Sequence, residues 1–183
     1  MNIKKDNILL RSIEDKDLEF LREMINDPEI KKMTVGQCNY VTEEEHLKWF
    51  SNLKNEKNRL RFMIEIDRVT IGTIILENID LSNKNASISI KIGKTDFKGK
   101  GYGTKALRLV LKYAFDELDL HMIYANVLEY NEASKKLFEK CGFKIDGIKR
   151  DAVYRDGKFH RLYLFSIIKE EFINDKWWEK RNR

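Results

Sequence analysis

Three β-rich segments in series, followed at once by a glycine loop and a helical stripe, limit the fold of this chain more than any other feature. Residues 61–67 (RFMIEID) and 70–79 (TIGTIILENI) are rich in β-branched and aromatic side chains, with a short Arg68-Val69 turn between them. They read as a hairpin. Residues 86–92 (ASISIKI) alternate strictly and place Ile88, Ile90 and Ile92 on one face. The polar run LSNKN, 81–85, supplies the turn before them. The period then changes, because Ala106, Leu107, Val110, Leu111, Ala114, Phe115 and Leu118 make one apolar stripe at helical spacing. Antiparallel strands in series with a helix behind them predict an α+β protein rather than a doubly wound parallel one.

The flanking segments complete the order. ILLRSI, 8–13, reads as a first strand. Ser12 and Asp15 offer a capped start for a helix carrying Leu18, Leu21, Met24 and Ile25, with Pro28 at its end. Thr42 and Glu45 repeat the cap before a helix carrying Leu47, Trp49, Phe50 and Leu53. After the central helix, HMIYANV (121–127) reads as a strand and NEASKKLFEK (131–140) as a short helix, closed at Cys141-Gly142 where glycine takes the left-handed cap. FKIDGIKRDAVY and FHRLYLFSII flank Arg155-Asp156-Gly157-Lys158 as a final hairpin, and the tail WWEKRNR is polar apart from two tryptophans. No repeat or linker interrupts this order, so residues 1–183 are expected to form one domain.

Composition excludes several classes. Hydrophobic residues at 42% against 36% charged suit a globular core rather than a disordered chain. No apolar run approaches the roughly 20 residues of a membrane span, and the N-terminus lacks a secretory pattern. The two cysteines, Cys38 and Cys141, have no metal-ligand spacing, so no metal is expected and a reduced, cytoplasmic setting is. The net charge of +5 is spread over scattered lysines with no arginine-rich arm. It gives no footprint for nucleic acid.

The candidate site is the stretch FKGKGYGTKAL, 97–107. Helix N-termini carry unpaired N–H groups and a partial positive charge, and glycines let that backbone approach a ligand closely. Lys98, Gly99, Lys100, Gly101, Tyr102, Gly103 and Thr104 therefore read as a phosphate cradle, with a plain glycine turn and solvated lysines as the alternative. There is no GKS or GKT triplet, which excludes a Walker loop. The preceding strands look antiparallel, which excludes a dinucleotide-binding βαβ unit.

About 25 residues further on come Asn126, Asn131, Ala133, Ser134 and then Leu137-Phe138-Glu139-Lys140-Cys141-Gly142-Phe143. With these two segments in order, the chain resembles the GNAT superfamily of acetyl-CoA-dependent N-acetyltransferases. Its loop, Q/R-x-x-G-x-G/A, is matched with Lys98 in place of Gln or Arg. Its second segment, N-x-x-A/S-x-x-L-Y/F-x-K-x-G-F, is matched almost throughout by residues 131–143. The resemblance implies a mixed, mostly antiparallel twisted sheet, splayed at its centre and flanked by helices. It implies acetyl-CoA as cosubstrate, with the pantetheine arm lying between the strand carrying Ile90 and Ile92 and the strand carrying Asn126. The pyrophosphate would rest on residues 98–104. Asn131, Ser134, Lys135 and Phe138 would line the arm, although Asn131 is equally a helix cap.

The chemistry needs a neutral amine, a polarised thioester and a proton for the leaving thiolate. Many family members carry a proton-donating Tyr where this chain has Phe138, which leaves Ser134 as the substitute and Tyr130 as a weaker one. Many carry Glu where this chain has Ser87, which leaves Glu77 as the base acting through water, or else as a solvated strand-end carboxylate. His121 reads as structural. The stretch EEEHLKWF, 43–50, resembles enzymes that acetylate nucleotide-linked amino sugars, and Trp49, Tyr40, Arg61 and Lys31 are available for such an anionic acceptor. A protein N-terminus or a polyamine is the alternative small or peptidic amine, and Glu43, Glu44 and Glu45 are available for a polyamine. A CoA-binding module without catalysis is the reading from another class. A homodimer is left open.

Overall fold

The computed structural model describes residues 2–36 and 39–174. Cys38 and the WWEKRNR tail lie outside the described residues. Eight strands form one sheet: β1 (Asn2–Lys5), β2 (Ile8–Arg11), β3 (Leu60–Ile66), β4 (Val69–Asp80), β5 (Asn85–Ile92), β6 (Met122–Leu128), β7 (Lys144–Arg155) and β8 (Lys158–Ile168). Their spatial order is β1-β2-β3-β4-β5-β6-β8-β7. Every neighbouring pair is antiparallel except β5 and β6. The helices are α1 (Leu18–Asn26), α2 (Pro28–Met33), α3 (Glu43–Asn52), α4 (Tyr102–Asp116), α5 (Glu132–Lys140) and α6 (Lys169–Asn174). This is the expected α+β architecture.

Two hydrophobic layers hold the sheet. On one face, the α4 stripe of Ala106, Leu107, Val110, Leu111, Ala114 and Phe115 packs on Ile8, Leu10, Phe62, Ile64, Ile74, Leu76 and Ile88, all buried. On the other, Leu21 and Met24 of α1 pack on Met63, with Trp49 of α3 alongside. Strand alternation decides which side chain meets which layer. Ile88, Ile90 and Ile92 go to the α4 layer, while Lys91 joins the α1 and α3 side.

Several local expectations shift. Helix α1 stops at Asn26, just before Pro28 as expected, but Pro28 also opens α2 at the first helical position behind the Asp27 cap, where its missing N–H costs nothing. The β3–β4 turn is Asp67-Arg68, one residue earlier than expected, with both residues at positive φ. The Thr42–Glu45 capping box forms as expected, but Leu47 is exposed and His46 is the buried residue of α3. The N-terminal hairpin partner β1 was not anticipated.

Gly72 shapes the end of β5. A Cβ there would lie 2.0 Å from the Lys91 carbonyl oxygen and 2.9 Å from the Ile92 Cα, both backbone atoms that cannot swing away. Only glycine permits this approach. Gly72→Ala is therefore expected to cost about 3 kcal/mol or more, read as a fall in the denaturant midpoint. A midpoint within experimental error of the parent would contradict this packing.

Candidate active site

The site begins where β5 and β6 part. Their parallel pairing covers only Asn85–Ser87 against Met122–Tyr124. Beyond it, β5 stays bonded to β4 as far as Ile92, and β6 stays bonded to β8 as far as Leu128. The outer halves of the two strands, 88–92 and 125–128, thus face each other without a shared ladder. Their facing backbone groups are available to an extended ligand. Ile90 and Ile92 lie along this open half of β5, and Asn126 lies exposed on the open half of β6.

The glycine loop lies beside that opening. Gly101 caps α4 in the left-handed region, at φ 83°, and Gly99 has φ 73°. Added Cβ atoms at either would meet nothing within 4 Å, so the backbone borders open space. The first bond into the helix runs from the Lys105 N–H to the Gly101 carbonyl, 3.1 Å. The amides of Tyr102, Gly103 and Thr104 therefore have no helical acceptor. Gly103 sits over the Ile90 and Leu137 side chains, where an added Cβ would lie 3.8 and 3.7 Å away. That places the α4 N-terminus against the opening. Lys98 and Lys100 are exposed at the rim. These residues fit a phosphorylated ligand with an extended arm.

The second segment follows from α5. Asn131 is buried and caps the helix by accepting the Ser134 N–H at 3.0 Å, while its Nδ2 donates to the Met33 carbonyl at 2.9 Å. The capping role expected of Asn131 thus forms, and the same side chain ties α5 to the end of α2. Ser134 is half-buried, and its hydroxyl makes no hydrogen bond among the described residues. Lys135 donates to the Glu129 carbonyl at 2.7 Å and lies 5.0 Å over the Tyr163 ring. Phe138 is buried between Phe143 and Phe165. It packs in the core with those two rings. Cys141 is core packing, as expected.

A clamp joins the two halves of the sheet. Arg155, from the β7–β8 hairpin, donates to the carbonyls of Lys31, Lys32 and Thr34 at 2.9, 2.9 and 3.0 Å. The Tyr130 hydroxyl donates to the Lys32 carbonyl at 2.9 Å. With Asn131 on Met33, three residues from the β6–β8 side hold carbonyls at the C-terminal end of α2, where helix carbonyls run out of intrahelical donors. Tyr130 is thereby committed to structure. His121 is exposed, and its amide donates to Lys84 at the paired end of the sheet.

Glu77 stands directly across from Ser87 in the β4–β5 register. Its carboxylate pairs with Arg59 at 3.0 Å. Sequence reasoning thus singled out the Glu77 carboxylate, but not its arginine partner.

It missed the cavity. A hollow of about 330 Å³ lies between α1, α3 and the outer ends of β3–β5. Leu21, Met24 and Val41 wall its helical side, and Thr73 and Ile75 its sheet side. His46, Trp49, Arg61 and Lys91 bring the polar and aromatic groups. Arg61 lies 5.4 Å over the Trp49 ring, and Lys31 lies 5.7 Å over Tyr40. The expected aromatic–cation set therefore forms as two pairs. His46 and Lys91 were legible only as an odd histidine on an apolar face and a lysine on an alternating strand.

Comparison with known proteins agrees with this geometry. Residues 7–144 match the family model described as the acetyltransferase (GNAT) domain. A putative ribosomal N-acetyltransferase of Bacillus subtilis is 31% identical over 178 residues, covering 93% of this chain and 96% of that protein. A spermidine N(1)-acetyltransferase of Escherichia coli K12 is 23% identical, covering 91% and 89%. The crystal structure of spermidine N-acetyltransferase from Vibrio cholerae, in complex with CoA and spermine, superposes with a TM-score of 0.86 at 24% identity. It covers 93% of this chain and 100% of that one, and it shares the fold.

Gly101→Ala puts a side chain into the left-handed region with no steric clash. It is expected to cost about 1–2 kcal/mol of stability and to weaken calorimetric binding of inorganic pyrophosphate. Unchanged binding would separate the loop from anion recognition.

Proposed function

The chain belongs to the GNAT acetyltransferase family, and from that premise we propose that it transfers the acetyl group of acetyl-CoA to the primary amine of a small molecule. The observation that carries the reading is the opening between β5 and β6 with the α4 N-terminus against it. In this reading the pantetheine arm runs along Ile90 and Ile92 on one side and Asn126 on the other. Its amides bond strand backbone as an added strand would. The pyrophosphate meets residues 98–104, where unpaired N–H groups and the helix dipole favour anions. Asn131, Ser134 and Lys135 line the arm from α5.

The acceptor arrives from the α1 and α3 side. A cavity of this size, walled by two helices, suits a small amine better than a protein N-terminus. Amines are mostly protonated near neutrality, so a proton must leave before the nitrogen attacks. Glu77, held by Arg59, accepts it through water. The nitrogen then forms a bond to the acyl carbon and the carbon–sulfur bond breaks; the second proton lost by the nitrogen reaches the departing sulfur through the Ser134 hydroxyl, which gives up one proton as it takes up the other. The balance is acetyl-CoA plus an ammonium giving an amide, CoA and one proton. Two substrates held in one cleft supply much of the acceleration. A nucleotide-linked amino sugar heads the proposed acceptors. A polyamine, the substrate named for some relatives, and a protein N-terminus follow.

Thiol release from acetyl-CoA against these three amine classes tests the reading. Turnover with one class is expected; CoA binding without turnover of any amine would point to a non-catalytic module. Ser134→Ala is expected to lower kcat by about tenfold to a hundredfold with the KM for acetyl-CoA little changed. Full kcat in that variant would remove the proton-delivery role.

A further inference from the structure

The cavity under α1 and α3 has an uneven charge. Lys91, Arg61 and His46 line it, and among the described residues no aspartate or glutamate does. Arg61 is matched from outside the cavity by Glu56, at 2.9 Å. Lys91 has no such match, since among the described residues its ammonium makes no ion pair and no hydrogen bond. It stands on the open half of β5, beside Thr73 in the register, with its side chain in the hollow. Burial pushes its ammonium below its ordinary pKa, while the charge of Glu77 draws it back up. A half-buried lysine without a counter-ion is a cost that an anionic ligand would remove.

His46 adds a second, independent observation. It is 5% exposed, its ring stacks on Trp49 at 4.9 Å, and among the described residues the ring makes no hydrogen bond. Burial, with the Arg22 charge adding to it, lowers its pKa and keeps the ring neutral near pH 7. Arg22 on α1 is the charged group that acts on it, and the cationic Arg61 on β3 and Lys91 on β5 line the same cavity. Its free ring nitrogens can both donate to and accept from a neutral polar group.

We infer that this cavity is the acceptor subsite and that it selects a primary amine which also carries an anionic group, a phosphate or a carboxylate, placed on Lys91 and Arg61. This rests on the acetyltransferase reading and narrows it. The Trp49–His46 pair presents a flat platform for a ring, and the free nitrogens of His46 take a hydroxyl or carbonyl. The same charges disfavour a polyamine, whose second ammonium would face two cations and no carboxylate.

The test compares kcat/KM for a nucleotide-linked amino sugar, an amino acid and spermidine, for the parent and for Lys91→Met, Lys91→Arg and Lys91→Glu. The parent is expected to favour one anionic amine over spermidine by about tenfold or more, the worth of one charged hydrogen bond. Lys91→Met should lose that preference through KM, Lys91→Arg should keep it, and Lys91→Glu should shift it towards spermidine. The nucleotide sugar and the amino acid distinguish phosphate from carboxylate as the recognised group. Spermidine turned over as well as either anionic amine, or a preference unchanged in Lys91→Met, would overturn the inference while leaving the acetyltransferase intact. If no amine is turned over, calorimetric titration of the same amines decides. Anionic amines binding the parent but not Lys91→Met support the subsite, and equal binding overturns it. Loss of CoA binding itself would count against the acetyltransferase reading instead.

Discussion

The short parallel contact between β5 and β6 is the constraint on which the rest depends. It spans three residues on each strand and then stops, while each strand stays paired with an antiparallel partner on its other side. Strand twist carries the two half-sheets apart from that point. An opening of this kind leaves backbone donors and acceptors without a ladder, which a protein tolerates where water or a ligand meets them. The surrounding structure keeps it open. Helices α4 and α5 meet beside it through Gly103 and Leu137, and Arg155, Tyr130 and Asn131 grip the end of α2 from the far half.

Charge divides the two sides of that opening. On the α4 side the anion-favouring groups are backbone amides, lifted towards open space by two left-handed glycines. On the α1 and α3 side they are side chains, Lys91 and Arg61, set among apolar walls. Carboxylates are near but committed: Glu77 to Arg59 and Glu56 to Arg61. Asp17 and Glu65 are bound to the buried Arg11 further along the same face. The acidic first turn of α3 is exposed, and its Glu45 is bound to the Thr42 cap.

Much of this was legible in the residues. Period-two alternation in ASISIKI and the 3.6 period after Gly103 located β5 and α4, because burial on one face leaves so few ways to place isoleucines. The glycine spacing located the loop, since only glycine holds those φ values without strain. What escaped were features set by tertiary contact. Pro28 reads as a stop in sequence, and the Asp27 cap makes it a start as well. His46 and Lys91 are unremarkable letters until α3 folds over the sheet and brings them into one hollow. Glu77 reads as a free strand-end carboxylate, and only the fold supplies Arg59. Phe138 matched a motif position, and only the fold shows its ring packing with Phe143 and Phe165.

Amide hydrogen exchange with and without saturating CoA tests the central claim most directly. The account predicts slowed exchange in the open halves of β5 and β6, residues 88–92 and 125–128, and in the loop amides at 99–104. The paired segments Asn85–Ser87 and Met122–Tyr124 should change little. Protection confined to any other part of the sheet, with those three stretches unaffected, would contradict it.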